Sequence, residues 1–386
     1  MLEDALCAGL TSSGADAYIL HVTTTPSVSF ITRCDGFDCG IMISASHNPF
    51  YDNGIKIMNG NGEKLEEQVV AVIEDYLESG AEIPFASGVN IGRTVDYVSG
   101  RNRYIGHLIS LSTCSYKGLR VGLDAANGSA FSIARNVFDA LGAKTFVIGD
   151  APNGLNVNDG LGSTHIEKIA ELVRKNSLDI GFAFDGDADR CIAVDENGTV
   201  LTGDEELFVL ANRLKERGEL ENDLIVCTVM SNGGLIKSLK KKGISCAPCE
   251  VGDRNVCLEM NRCGAVLGGE RSGHIVLSKY ETTGDGLVTA IMIMEALVES
   301  KGAASGLLKG FQSLPQILFN FPSESKVIPS EVLQKIYALG KASGVRLVVR
   351  PSGTEKVIRI MAEGELYENC VSVCGEVRTL LENCGG

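Results

Sequence analysis

The chain has 386 residues, 44% of them apolar, and a formal net charge of −14. That length exceeds one ordinary core and points to roughly two to four domains. The negative balance argues against nucleic acid and anionic membrane as partners, although clustered basic residues can still hold a small anion.

Met1-Leu2-Glu3-Asp4 is not a basic n-region and no long apolar h-region follows it, so no secretory signal is expected. No apolar run approaches the length of a membrane span. The 13 cysteines follow no framework spacing, which suits free thiols in a reducing cytoplasm.

In chain order, the opening 2–13 reads as a helix, 17–22 as a strand and 26–33 as a short helix. Strand 40–43 ends in Ser44-Ala45-Ser46-His47-Asn48-Pro49, a turn signal. Strands 17–22 and 40–43 are expected to be the main strands of a parallel sheet. Helix 64–78 carries Leu65, Val69, Val72, Ile73, Tyr76 and Leu77 on roughly one face. Residues 93–111 read as a linking helix.

Strand 119–124, helix 129–141, strand 144–148, helix 164–175 and strand 179–184 follow a βαβ pattern. A further unit holds helices 204–216, 234–241, 253–261 and 284–299, with strands 224–229, 244–249 and 265–268. The last part alternates strand 316–321, helix 331–340, strands 345–349 and 356–363, and helix 366–381, a small α+β domain. The expected units are 1–113, 114–200, 201–312 and 313–386, three α/β and one α+β.

Four stretches carry chemistry. A hydroxyl beside an imidazole, Ser46-His47, suits nucleophilic work at the end of a strand, although alone it reads as a polar turn. Asp185-Gly186-Asp187-Ala188-Asp189 places three carboxylates at alternate positions, which in an extended loop project to one side. Hard oxygens of this kind suit Mg²⁺ or Ca²⁺. An EF-hand is excluded, because Arg190 stands where glycine is required and 180–184 and 191–194 read as strands. Arg190 offers charge for a phosphate oxygen.

Gly269-Glu270-Arg271-Ser272-Gly273-His274 combines an acid, a hydroxyl and an imidazole, groups that suit sugar hydroxyls and proton transfer. Arg350-Pro351-Ser352-Gly353-Thr354 follows an apolar strand and forms a plausible phosphate nest, with Arg359 as a second guanidinium. Cys246-Ala247-Pro248-Cys249 falls in an expected strand without a second ligand pair and reads as structural.

Taken together and in this order, the four stretches resemble the motifs of the α-D-phosphohexomutase family. The resemblance covers essentially the whole chain. It is strongest to the bacterial glucosamine-phosphate branch, through 46–56, Val251-Gly252-Asp253-Arg254 and Thr282-Thr283-Gly284-Asp285-Gly286. It implies four domains around a central cleft, each presenting one motif loop. Ser46 would be a phosphoserine, and Asp185, Asp187, Asp189 and a phosphoserine oxygen would hold Mg²⁺. Glu270 and Ser272 would grip sugar hydroxyls. Arg350, Ser352, Gly353 and Thr354 would hold the phosphate that does not react. Lys56 and His274 would move protons. The implied reaction interconverts glucosamine 6-phosphate and glucosamine 1-phosphate through a bisphosphorylated sugar, supplying amino-sugar and cell-wall precursors. The resemblance leaves a homodimer open.

Three features depart from the family's pattern. Ala188 replaces a frequent glycine. Lys356 replaces a frequent proline and recharges the phosphate loop. The family also carries a longer amino-terminal segment, with a Gly-Thr-Asp-Gly-type loop, an arginine and early strands. This chain begins beyond them, so a poorer and less stable mutase than a longer relative is expected. The alternatives are action on mannose or glucose phosphates, a Mg²⁺ phosphatase using water, and a non-catalytic sugar-phosphate binder.

Overall fold

The computed structural model describes residues 1–80, 82–323, 327–351 and 356–383. The first unit contains α1 (Leu2–Ser12), β1 (Ala17–Ile19), α2 (Thr25–Asp35), β2 (Cys39–Ser44), β3 (Gly54–Asn59), α3 (Glu67–Ser79), β4 (Thr94–Asp96) and α4 (Val98–Leu111). Helix α2 starts where the Thr24 side chain accepts the Ser27 N–H, with Pro26 in the first turn, and it stops at Gly36 in a left-handed conformation.

Two expectations fail in this unit. Residues 93–111 are not one helix: Thr94–Asp96 pairs in parallel with β1 before α4 begins. The β-branched pair Thr94-Val95 favours that extended start. Strands 17–22 and 40–43 do not share a sheet either. β1 pairs with β4, whereas β2 forms an antiparallel pair with β3, a strand the sequence did not announce. A cavity of about 2010 Å³ separates β1 from β2, bordered by α1 and reaching Ser46 and Gly186. The apolar face of α3 is not buried; Val72 and Leu77 are 67% and 74% exposed.

The second unit runs β5 (Arg120–Asp124), α5 (Ile133–Ala140), β6 (Lys144–Ile148), α6 (Glu167–Asn176), β7 (Ile180–Phe184), β8 (Cys191–Asp195) and β9 (Val200–Leu201). Its sheet order is β6-β5-β7-β8-β9, parallel through β7 and antiparallel beyond it. The third unit runs α7 (Gly203–Glu216), β10 (Leu224–Thr228), α8 (Gly233–Lys241), β11 (Ser245–Cys249), α9 (Asp253–Cys263), β12 (Leu267–Gly269), β13 (Ile275–Leu277) and α10 (Gly286–Ser300). The sheet order is β11-β10-β12-β13, with β13, also unannounced, antiparallel. The fourth unit has β14 (Gln316–Pro322), α11 (Ser330–Ser343), β15 (Arg346–Pro351), β16 (Val357–Glu363) and α12 (Tyr367–Glu382), with an antiparallel sheet in the order β14-β16-β15. The α/β and α+β class read from the sequence holds throughout.

Helix α10 is apolar almost all round and buried from Gly286 to Leu297, as expected of a helix at the centre of a core. It joins the second and third units into one apolar cluster that also takes in Tyr104 and Leu108 of α4. Polar contacts fix both its ends. Asp285 caps it, accepting from the Leu287 and Val288 N–H groups at 2.8 and 3.0 Å and from the Tyr104 hydroxyl at 2.6 Å. Glu295, fully buried, accepts from Ser112 Oγ at 2.6 Å, from the Thr113 N–H at 3.1 Å and from Arg213 at 3.3 Å. One carboxylate therefore ties the 112–113 link between the first and second units to α10. Replacing Glu295 by Ala should cost about 2 kcal/mol, since it leaves the Ser112 hydroxyl and the Thr113 N–H short of an acceptor, while Arg213 keeps Glu299 at 3.0 Å. Urea unfolding would show this as a lower midpoint at unchanged slope.

Candidate active site

The 185–190 stretch is the tight turn between antiparallel β7 and β8, not an extended loop. Ala188 sits at φ +56°, and its N–H donates to the Asp185 carbonyl at 3.1 Å. The turn, rather than alternation, gathers the carboxylates. Oxygens of Asp185, Asp187 and Asp189 lie within 4.8 Å of one another, and all three residues are buried. They are not uncompensated. Lys56 Nζ donates to Asp187 Oδ2 at 2.5 Å and to Asp189 Oδ2 at 2.9 Å. The β2–β3 pairing explains its placement, for Lys56 stands opposite Met42, two residues before the end of β2.

Burial disfavours charge on Lys56, but Asp189 and Asp187 outweigh it and hold the ammonium charged. Burial, then the Asp189 and Asp187 charges, push the Asp185 carboxyl well up. Burial also works against the Asp189 carboxylate, yet His274, Lys56 and Arg190 hold its pKa well below the usual range.

Ser46 is itself left-handed, at φ +52°. Its N–H donates to Ser44 Oγ at 2.7 Å, and its carbonyl accepts the Gly186 N–H at 3.1 Å. The serine turn is thereby hydrogen-bonded to the carboxylate turn. A Cβ at Gly186 would come within 2.5 Å of the Ser46 carbonyl oxygen, so only glycine permits the approach. Burial, then the Arg190 charge, lower the His47 pKa, leaving a neutral imidazole near pH 7. His274 Nδ1 stands 3.8 Å from Asp189 Oδ1, and its ring packs on Gly284.

The third motif is the β12–β13 turn. Glu270 accepts the Gly252 N–H at 2.7 Å and the Ser272 hydroxyl at 3.1 Å. This turn meets the carboxylate turn through the Cys191 N–H and the Gly273 carbonyl, 3.1 Å apart. Arg350 and Arg359 face each other across β15 and β16. Burial, then the Arg359 charge, lower the Arg350 pKa, with Glu270 and Glu250 near enough to oppose this. Ser352, Gly353 and Thr354 lie outside the described residues. Cys246 and Cys249 lie on β11 as expected, and burial pushes the Cys249 thiol up to about 11, away from reactivity.

Models of phosphoglucomutase/phosphomannomutase α/β/α domains I, II and III match residues 1–83, 102–198 and 202–314, and that of the C-terminal domain matches 328–379. A phosphoglucosamine mutase of Lachnoclostridium phytofermentans is 54% identical, over 100% of this chain and 87% of its own length. One from Lachnospira eligens is 51% identical over the same shares. The chain belongs to the phosphoglucomutase/phosphomannomutase family. The fold agrees. A phosphoglucomutase/phosphomannomutase family protein from Burkholderia thailandensis superposes with a TM-score of 0.82 at 22% identity, over 99% of this chain and 86% of that one. An Aspergillus fumigatus N-acetylphosphoglucosamine mutase, described in complex with GlcNAc-6P and magnesium, gives 0.75 at 18% identity, over 99% and 94%.

Within this phosphohexomutase, the donor set fits a hard divalent cation. Asp185 Oδ2, Asp187 Oδ1 and Asp189 Oδ1 are buried and accept no hydrogen bond. Buried, unpartnered carboxylate oxygens in a cluster this close suit a positive charge among them.

The sequence missed Thr25. Its hydroxyl donates to Asp187 Oδ2 at 2.5 Å and its N–H to the Asp187 carbonyl at 3.0 Å. Thr24-Thr25-Pro26 could have been read as a helix start, but not as a contact to a turn 162 residues away. Among the described residues, no helix is long and apolar enough to cross a membrane.

Lys56 is the counter-charge of the cluster, so Lys56→Met should lower the melting temperature of the protein stripped of divalent cation. Added magnesium chloride should then raise that temperature by more than it does in the parent, since the ammonium no longer competes. Differential scanning calorimetry with and without chelator checks both signs.

Proposed function

We propose that this chain is a phosphoglucosamine mutase, an isomerase that interconverts glucosamine 6-phosphate and glucosamine 1-phosphate by way of a phosphoserine at Ser46. The observation that carries the reading is the serine turn bonded directly to a turn of three buried carboxylates, through the Gly186 N–H and the Ser46 carbonyl. The names of the relatives at 54% and 51% identity supply the sugar. Four units, at 1–113, 114–200, 201–312 and 313–386, each contribute one loop.

Asp185, Asp187 and Asp189, with an oxygen of phosphorylated Ser46, would hold Mg²⁺. Bound there, the ion withdraws charge from the moving phosphoryl group. Phosphoryl transfer is mostly positioning and charge neutralisation. In the first half, the bond from phosphorus to Ser46 Oγ breaks as a bond to a sugar hydroxyl forms. His47, neutral, takes the hydroxyl proton, and Lys56, charged, gives one to Ser46 Oγ. Arg190 neutralises the transferring group. The bisphosphorylated sugar then turns over and returns its other phosphate to Ser46. Glu270 and Ser272 orient the ring hydroxyls, with His274 beside Asp189 as a further proton carrier. Arg350, Arg359 and the 352–354 segment take the phosphate that stays, relieving two like charges side by side.

The test is incubation with glucosamine 6-phosphate, Mg²⁺ and a trace of the bisphosphate, followed by ³¹P NMR. Glucosamine 1-phosphate is the expected product. Free phosphate would make the protein a phosphatase, and no turnover would make it a binder. Glucosamine 6-phosphate consumed more slowly than mannose or glucose phosphates would move the assignment within the family. Ser46→Ala should abolish turnover and remove the phosphate from the intact mass.

Arg350→Lys should raise KM for sugar phosphates about tenfold or more, because a point charge cannot replace a planar fork on phosphate. Binding of unphosphorylated glucosamine should be unaffected; equal loss for both ligands would contradict a phosphate-specific role.

A further inference from the structure

Asn158 carries none of the roles above, yet it reaches out of the second unit into the serine turn. Its side-chain Nδ2 donates to two carbonyl oxygens at once, Ser46 O and Asn48 O, each at 2.8 Å. Two acceptors on one side fix which way the amide points, since a flipped Oδ1 would face both carbonyls. The residue is 7% exposed, and its own Oδ1 is buried without a partner. A buried amide that leaves its acceptor unused gives up stability unless its two donor bonds repay it.

The backbone of Asn158 is equally committed. It is left-handed, at φ +59°, a conformation asparagine tolerates better than most residues. Its N–H donates to the Ala126 carbonyl at 2.9 Å. The turn around Ala126 in turn reaches the carboxylate turn, since the Ser129 N–H donates to the Gly186 carbonyl at 2.8 Å. Gly186 completes the circuit by donating to Ser46 O. The carbonyl of Ser46 is therefore gripped from two directions, by Gly186 of the carboxylate turn and by Asn158.

That grip matters because Ser46 is held in a conformation that a free serine disfavours by about 1–2 kcal/mol. A left-handed residue persists only where its surroundings over-determine it. The N–H of Ser46 is tied to Ser44 on its own strand. The Asn48 N–H closes the turn on the Ala45 carbonyl at 2.9 Å, and the grip on the Ser46 carbonyl comes from across the site.

We propose that Asn158 is a positioning residue that clamps the Ser46–Asn48 turn in register with the Asp185–Asp189 turn. It sets the direction from which the Ser46 hydroxyl meets the substrate. The inference rests on Ser46 being the phosphoryl carrier. Asn158 touches no substrate and acts only through the serine turn, so its loss slows the chemical step more than it weakens substrate binding.

Two variants separate side chain from backbone. Asn158→Asp keeps the shape but turns a carboxylate oxygen toward two carbonyls. Asn158→Gly keeps the left-handed backbone and removes the clamp. Both should lower kcat for glucosamine 6-phosphate by about ten- to a hundredfold, with KM little changed, the effect of a reacting group displaced by a fraction of an ångström or more. Melting temperature should stay near the parent's in the glycine variant. Amide exchange across 44–48 should quicken in both, with exchange in the β7–β8 core unchanged.

Parental kcat in either folded variant overturns the proposal. So does a rise in KM without a fall in kcat, or a kcat loss that tracks a lowered melting temperature. Should Asn158→Asp not fold, the glycine variant decides. Ser46→Ala serves as the companion control. If it keeps full turnover, the phosphoserine reading fails, while the exchange measurement still judges the clamp on its own.

Discussion

Three carboxylates held within 4.8 Å of one another and cut off from water are the constraint around which this molecule is arranged. At an effective dielectric of about 20, each like-charged pair at that separation repels by roughly 3 kcal/mol. Neighbours drawn from several units offset that cost. The first unit supplies Lys56 on a hairpin strand and Thr25 at a helix start. Arg190 follows in the turn itself, and the third unit brings His274. The compensation remains incomplete, because one oxygen of each aspartate accepts nothing. A site left short of positive charge in this way fits a divalent cation.

Three of the motif stretches share a structural device. The first lies between β2 and β3, the second between β7 and β8 and the third between β12 and β13, and every one of those pairs is antiparallel. A turn between paired strands is anchored on both sides, unlike a loop leading to a helix. It can hold unusual backbone angles, as at Ser46 and Ala188. It also exposes carbonyl and N–H groups at its tip, and these link the turns: Ser46 to Gly186, Gly273 to Cys191. The site is thus built as much from backbone contacts between turns as from the side chains that give the motifs their signature.

This explains what could be read in the sequence. Helices such as α7, α10 and α12 and the apolar strands β5, β7 and β10 announce themselves by composition and periodicity. The motif stretches were also legible, because each is contiguous and its residue types are unusual. Short strands whose partners are decided by tertiary contacts were not, and β3, β4 and β13 were missed or merged into helices for that reason. Asp185, Asp187 and Asp189 were correctly gathered but for the wrong geometric reason, a tight turn rather than an extended one. Lys56 came from family resemblance alone; nothing in its neighbours foretells that β3 lays it across from Met42. Thr25 and Asn158 left no signal, since an ordinary helix start and an asparagine in a polar loop reveal their partners only in three dimensions.

The division of cores bears on how one site could serve two phosphates. The proposed reaction requires the bisphosphorylated sugar to reverse its ends while Ser46 and the carboxylates keep their geometry. The second and third units and helix α4 share one continuous apolar core. The fourth unit, which carries Arg350, has a core of its own built from α11, α12 and its three strands. Its tie to the third unit is polar. Arg346 pairs with Glu363 at 2.9 Å and donates to the Val229 and Ser231 carbonyls, while Glu363 accepts the Gly233 N–H at 2.9 Å. Polar contacts of this kind can re-form after a small rotation at less cost than an interlocked apolar core can be opened. The fourth unit, with Arg350, is thereby joined to the third by polar contacts, while the second and third units are joined by continuous packing.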